Sequence, residues 1–239
     1  MRFIIVALVS VILSVFSISA FAAEPVTGEA EAGAIVVSGN SESENYNAKT
    51  KVVYTQDKNI YTAFGRYLRA TANGLESSLQ WDAGARYERE LSEHVSVYLG
   101  YKAESDVYNG YVQRDSTDLG GKYYFIKSDV QNWFGEAGYR YSKTNPTGGG
   151  EVANDSFGRL FTEYSQTIDK TLSFKYWAEY LPNLTDSEAY LANTEASFNV
   201  MLNSVFSMKF AYLLQYQNLP PSDGKYTTST TTMNLVAKF

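Results

Sequence analysis

The feature that most constrains this chain is an alternation of apolar and polar residues that runs through most of its length. In "TLSFKYWAEYLP", every second residue from Leu172 to Tyr180 is apolar or aromatic, and Ser173, Lys175 and Glu179 stand between them. Side chains two residues apart share a face only in an extended strand. The same pattern recurs in "LESSLQWDAGARYERE", "AYLANTEASFNVML" and "FSMKFAYLLQYQ". The chain is therefore predicted to be all-β.

The alternating runs are long, and the segments between them differ in character. Many runs exceed the five or six residues typical of soluble sheets and match the roughly 9–11 residues of a tilted membrane-spanning strand. Tight turns such as "LSEH" and "IDKT" alternate with longer links such as "NPTGGGEVANDS". All five prolines are predicted to lie outside the strands, Pro25 before the first strand and the other four in the longer links. The predicted strands lie near 30–38, 45–56, 59–71, 75–89, 94–105, 111–125, 131–143, 156–168, 171–181, 188–201, 205–217 and 226–239. The first and third of these are the least distinct.

A sheet can cross a membrane only when it is closed, because an open edge leaves backbone groups unpaired in lipid. We therefore predict that residues 23–239 form a transmembrane antiparallel β-barrel of about 12 strands. An even strand number and tight turns at one end indicate that both termini are periplasmic. The final run, "MNLVAKF", is predicted to pair with the first strand. The alternative is a soluble β-sandwich or lipocalin-like barrel whose aromatic residues fill a core.

The start of the chain predicts export. "MRFIIVALVSVILSVFSISAFAAEP" has a basic residue, an apolar stretch and an Ala-x-Ala site, which is the layout of a secretory signal peptide over residues 1–22. The alternative for this segment is a membrane anchor. The sequence has no cysteine and a formal charge of −6, and an acidic chain without basic runs argues against nucleic acid as a partner. The predicted location is the outer membrane, with membrane lipid and the barrel-assembly machinery as partners.

The polar faces of the strands are predicted to line the lumen. Tyr98, Tyr124, Phe161 and Trp177 also fall on these faces, which favours a narrow or plugged interior. Charges of both signs in a barrel can pair across strands or line a water-filled path for small solutes or ions. The candidate lumen-lining charges are Lys49, Lys51, Asp82, Arg86, Glu88, Lys102, Glu104, Arg114, Asp118, Lys122, Glu136, Arg140, Arg159, Glu163, Lys175, Glu179, Glu195 and Lys209.

Residues for catalysis or cofactor chemistry do not stand out. The single histidine, His94, falls in a predicted turn, whereas a hydrolase nucleophile needs a base beside it. We predict no catalytic, cofactor-binding or metal-binding residue and no enzyme activity. The predicted function is a narrow channel or a passive envelope protein. The alternatives are an outer-membrane enzyme acting on lipid or peptide, and a structural or adhesive barrel whose outer loops bind partners.

Several segments carry a family resemblance. "GAIVVSGNSESENYNAKTKVVY", "ARYERELSEHVSVYLGYKAESD", "DLGGKYYFI", "EAGYRY" and "NLPPSDGKYTTSTTTMNLVAKF" resemble the YdiY-like salt-induced outer-membrane proteins. The resemblance covers nearly all of the chain after the signal peptide. It implies a single-domain outer-membrane barrel of a Gram-negative bacterium. It brings no catalytic residues, because the family is grouped as a domain of unknown function, and its name alone implies a link to salt.

Overall fold

The computed structural model describes residues 26–37, 42–220 and 225–239. These residues form twelve β-strands and two short 3₁₀ turns. The strands are β1 Val26–Val37, β2 Ser43–Gln56, β3 Asn59–Ala72, β4 Leu75–Glu90, β5 Val95–Asp106, β6 Tyr111–Lys127, β7 Gln131–Pro146, β8 Ala153–Thr167, β9 Leu172–Pro182, β10 Tyr190–Met201, β11 Phe206–Gln217 and β12 Thr227–Lys238. In the described part of the chain, no helix is long and apolar enough to cross a membrane.

Each strand pairs antiparallel with its sequence neighbours, and β1 pairs with β12, so the sheet closes into a barrel. This confirms the predicted fold class and strand number. Five tight turns and both ends of the barrel chain lie at one rim, which we call the turn end. The six other connections lie at the opposite rim, the loop end. Val26 and Phe239 are therefore on the same side of the barrel, as an even strand number requires.

The alternation in sequence separates the two faces of the barrel wall. On β12, Met233 and Leu235 are exposed on the outer face, whereas Asn234 and Val236 are buried on the inner face. On β7, Tyr139 and Tyr141 point outward and Arg140 and Ser142 are buried inside. The outer surface is thus apolar and aromatic, while the inner face carries the charged residues. The alternation of β3 is weak because it has an arginine on each face. Arg66 faces inward and pairs with Asp82, whereas Arg69 faces outward and pairs with Glu76.

Four of the five tight turns use the same side-chain cap. Ser92, Ser128, Asp169 and Asn203 each accept the backbone N–H of the residue three positions later, at 3.2, 3.0, 2.9 and 2.8 Å. Such caps fix the chain reversal and hence the strand register. Hydrogen bonds from Thr171 and the N–H of Leu172 hold the pKa of the exposed Asp169 carboxyl below its ordinary value. This cap therefore stays in its bonded form until acidic pH.

The barrel closes through a short seam between β1 and β12. Glu29 to Ala32 pair with Lys238 to Leu235, whereas β1 pairs with β2 along its whole length. Gly28 adds two backbone hydrogen bonds with Phe239, at 2.7 and 3.0 Å. Within the described residues, the ladder ends at the pair of Ala32 and Leu235, although both strands continue from there toward the loop end. The seam is thus paired only near the turn end.

Two details of the sequence prediction need correction or lie outside the described residues. Pro146 and Pro182 are not outside the strands but are the last residues of β7 and β9. A strand can end on proline because its final backbone nitrogen need not donate to the ladder. The first strand also begins earlier than predicted, at Val26. The signal peptide predicted over residues 1–22 lies outside the described residues, as do Pro25 and Pro221.

A closed sheet of this kind should resist detergent denaturation at room temperature, because no strand can leave without breaking two ladders. We expect the unheated protein to migrate differently from the boiled protein on a detergent gel, with the folded band in the membrane fraction. Equal migration of both samples, with the protein in the soluble fraction, would contradict a membrane barrel.

Candidate functional site

One half of the lumen is filled by interlocked ion pairs that we call the arginine cluster, formed by Arg86, Arg140, Arg159, Asp118, Glu136 and Glu179. Arg86 donates to both oxygens of Glu136, at 2.7 and 3.1 Å. Arg159 donates to Glu136 Oε2 at 2.6 Å and to Glu179 Oε1 at 2.7 Å. Because Arg86 lies on β4 and Glu136 on β7, their pairing spans two intervening strands and crosses the interior. The cluster therefore fills space in the lumen.

The third arginine extends the cluster toward β9. Arg140 donates to the two oxygens of Asp118 at 2.6 and 2.8 Å and to Glu179 Oε1 at 3.2 Å. Planar guanidinium groups suit such two-pronged contacts with carboxylates. Each carboxylate is thus shared or held by two bonds. This mutual pairing explains how buried charges are tolerated in the interior.

Tyr98 is the central uncharged member of this half of the lumen. Its ring lies 3.9 Å from the Arg86 guanidinium carbon, and its hydroxyl accepts a hydrogen bond from Arg159 Nη1 at 2.9 Å. Gly120 and Gly138 are register partners on β6 and β7. A Cβ atom at these two positions would stand 2.5 and 2.7 Å from the Tyr98 hydroxyl oxygen. The two glycines therefore make the space that Tyr98 occupies.

Smaller ion pairs surround the arginine cluster. Lys122 Nζ lies 3.1 Å from Glu88, which also contacts Arg86 at 3.0 Å. Glu104 contacts Lys102 at 2.7 Å and Arg114 at 3.8 Å, and Asp82 contacts Arg66 at 2.6 Å. Lys175 and Glu163 are 2.9 Å apart. These pairs continue the charged lining around the wall.

A second cluster joins the seam strands to β10 and β11. Buried Glu31 accepts hydrogen bonds from Lys209 Nζ at 2.8 Å and from Asn234 Nδ2 at 2.9 Å. Glu195 lies 3.8 Å from Lys209 and 3.6 Å from Lys49. Glu31 therefore clasps β1 to β11 and β12 at the point where the backbone ladder of the seam ends. We call this group the Glu31 clasp.

Two cavities occupy the space that the side chains leave. The loop-end cavity has a volume of about 440 Å³ and reaches from Tyr226 and Asn109 into the barrel. The turn-end cavity has a volume of about 320 Å³ and reaches from Asp129 and Lys238 inward, bounded by β7–β12 and β1. Four residues line both cavities. They are Glu29, Glu31, Lys175 and Lys209.

The structure brings together all but one of the predicted lumen charges as ion pairs. The exception is Lys51, for which no carboxylate of the described residues stands within ion-pair distance. It lines the loop-end cavity opposite Glu29 in the β1–β2 register. Sequence reasoning missed Glu29, Glu31 and Arg66. The alternation of glutamate with small residues in "GEAEAGA" carries the signal for the first two, but it lacks the large apolar residues of the other strands.

Whether His94 or any acidic group could act as a catalytic or metal-binding residue depends on its surroundings. His94 is exposed beside the turn after β4, and its Nδ1 lies 3.1 Å from the backbone oxygen of Tyr124. A carbonyl oxygen can only accept, so that nitrogen donates. Among the described residues, no group of three or more acidic or histidine side chains is placed to hold a metal ion.

The tight fit of Tyr98 can be tested with two neighbouring glycines that face opposite sides of the wall. Gly120→Ala should destabilise the barrel by about 1–3 kcal/mol, because the new methyl group collides with Tyr98 and with a backbone oxygen. Gly121→Ala is the matched control, since its nearest neighbour would be 3.9 Å away. Denaturant unfolding followed by tryptophan fluorescence would measure both. Equal stability of the two variants would contradict the proposed packing.

The role of buried pairing can be tested on Glu136. Glu136→Gln leaves Arg86 and Arg159 short of a carboxylate inside the lumen, so we expect a loss of about 3–5 kcal/mol in the free energy of unfolding. Glu90→Gln breaks the exposed pair with Lys127 and should cost about 0–1 kcal/mol. If both variants unfold at the same denaturant concentration, the arginine cluster does not hold the interior together.

Comparison with known proteins agrees with this architecture. The chain is 26% identical over 236 residues to "Uncharacterized protein YdiY" of Escherichia coli (strain K12), covering 93% of this chain and 88% of that protein. The NanC porin structure matches 89% of this chain and 97% of its own, with a TM-score of 0.53 and 11% identity. An outer membrane channel of Pseudomonas putida F1 matches 90% and 95%, with a TM-score of 0.54 and 12% identity. At such low identity the two structures show the fold alone, which is that of a transmembrane outer-membrane barrel.

The family assignment rests on most of the sequence. Residues 30–239 match a family described as "Protein of unknown function, DUF481". This range includes all of β2–β12 and most of β1. It confirms the resemblance seen in the sequence, and the chain belongs to the DUF481 family.

Proposed function

We propose that this protein is a narrow channel of the outer membrane. In this proposal residues 1–22 direct export, residues 23–239 form the barrel, and the turn end faces the periplasm. The barrel-assembly machinery inserts the chain, and membrane lipid surrounds its apolar outer face. The fold shared with the NanC porin and with the Pseudomonas putida channel supports the membrane location.

The observation that carries the proposal is the arrangement of the two cavities. One lies toward each end of the barrel, and Glu29, Glu31, Lys175 and Lys209 line both of them. The arginine cluster joins residues of β4 and β6–β9, whereas the four residues that line both cavities lie on β1, β9 and β11. A solute crossing the lumen would pass the four shared residues, which form the narrowing between the cavities.

The sizes of the cavities favour small solutes. Volumes of about 440 and 320 Å³ lie at the lower end of the range for small-molecule sites. The charged lining also suits ions and polar molecules better than apolar ones. We therefore propose inorganic ions and small polar metabolites as the solutes, with larger oligomers excluded by the arginine cluster.

The other candidate functions draw less support. A hydrolase would need a nucleophile beside His94, and the described contact of that ring is with a backbone oxygen. An adhesive barrel would use its loops, and the connection at Asn73–Gly74 is a two-residue turn. We therefore propose that the protein is not an enzyme and that its function lies in the lumen.

Reconstitution in planar lipid bilayers tests the channel directly. We expect small discrete conductance steps from the wild-type protein and larger steps from the double variant Arg86→Ala with Glu136→Ala, because removing this pair widens the lumen.

The matched control is Arg69→Ala with Glu76→Ala, which removes an ion pair on the outer face and should leave conductance unchanged. Silent membranes at high load of folded protein, for wild type and for both variants, would overturn the channel and leave a passive envelope barrel.

A further inference from the structure

The two partners of the lumenal ion pairs differ in their access to water. The Lys175 side chain is 40% exposed and that of its partner Glu163 is 22% exposed. The corresponding values are 23% for Arg86 and 2% for Glu136, and 17% for Lys209 and 5% for Glu31. The pairs Lys49–Glu195, Arg66–Asp82 and Lys102–Glu104 differ in the same direction. In each of these pairs the basic group faces the water and the carboxylate lies against the wall.

The geometry of the side chains accounts for this difference. Lysine and arginine have longer stems than glutamate and aspartate, so from the same wall they carry their charge farther toward the axis. The carboxylates stay close to the strands and are covered by the bases above them. Arg140 and Arg159 are the exceptions, but both are buried within the arginine cluster and face little of the open space. The water-exposed part of the lining is therefore more positively charged than a count of the basic and acidic residues on the inner face would suggest.

Lys51 adds a further positive charge to the lining of the loop-end cavity. It is exposed, lines the loop-end cavity with Lys175, and has no ion-pair partner among the described residues. The carboxylates that offset its charge are Glu163 and Glu29, its register partner on β1, and both are only partly exposed. Lys175 lines both cavities. Two accessible ammonium groups thus line the loop-end cavity, and that of Lys175 stands at the narrowing.

We propose that the channel prefers small anions over cations, and that Lys51 and Lys175 determine this preference. The inference rests on the proposed channel function and adds its substrate class. It runs against the net charge of the whole chain, which is −6. A channel senses the field along its own path, because a narrow low-dielectric passage concentrates the nearest charges. Chloride, phosphate and small carboxylates share the chemistry that an ammonium lining attracts.

The test is the reversal potential of the wild-type channel in a potassium chloride gradient across a planar bilayer. We expect chloride to permeate about two- to fivefold better than potassium at low salt, and this ratio to fall toward one near 1 M salt, where the Debye length is about 3 Å. The double variant Lys51→Gln with Lys175→Gln should bring the ratio to about one at low salt as well. Glu29→Gln should raise the ratio above that of wild type, because it removes one of the two carboxylates that offset Lys51.

The control is Lys143→Gln, which loses one positive charge on the outer side of β7 at a position that lines neither cavity. Its permeability ratio should equal that of wild type. A heat-shifted gel band for every variant establishes that each barrel is folded. Potassium preference in the wild type, or an unchanged ratio in the double variant, would overturn the anion preference while the channel function stands. The lack of any conductance from folded wild-type protein would overturn the channel itself.

Discussion

Backbone hydrogen bonding within lipid is the constraint on which the rest of this structure depends. A peptide N–H or C=O that meets hydrocarbon without a partner costs several kcal/mol, so a membrane sheet must close on itself. Closure gives every strand one face toward lipid and one toward the lumen. The two-residue alternation of the sequence is the direct expression of this requirement. It also collects the charged side chains of twelve strands in one narrow interior.

Charged side chains confined in this interior must form ion pairs with side chains of opposite charge. In the arginine cluster, Glu136 and Glu179 are each shared by two arginines, which offsets the cost of removing the charges from water. The bulky paired groups and Tyr98 fill the lumen between β4 and β9, and the two cavities are the space that the side chains leave toward the loop end and the turn end.

Much of this fold could be predicted from the sequence, because strand periodicity and strand length are local properties. The alternation around Leu172–Tyr180 assigns both faces of β9 without knowledge of its neighbours. The partners of individual charges could not be predicted. Arg86 meets Glu136 across two intervening strands, and such contacts depend on strand tilt and stagger, which no local pattern encodes. Glu31 was missed because its strand is rich in alanine and glycine, and its alternation lacks large apolar residues.

The unequal exposure of bases and acids was equally invisible in the sequence. Lys175 and Glu163 are both assigned to the lumen by their strand positions, but their depth along the radius depends on side-chain length and on neighbouring groups. A residue list gives the sign of each charge, whereas the field along the axis depends on how far each charge projects. This is why the composition of the chain is a poor guide to the solutes that a lumen favours.

The short seam gives the barrel wall an unequal mechanical strength. Among the described residues, each of the eleven other junctions between strands extends over eight or more residue pairs, whereas β1 and β12 share four pairs and the Glu31 clasp. The junction with the fewest backbone pairs should separate first when the barrel unfolds, so we expect the wall to open between β1 and β12. The same joint is the natural place for the ring to be completed when the chain enters the membrane. At this junction Glu31 holds β1 to β11 and β12 beside the last backbone pairs, so one side chain reinforces the shortest ladder of the barrel.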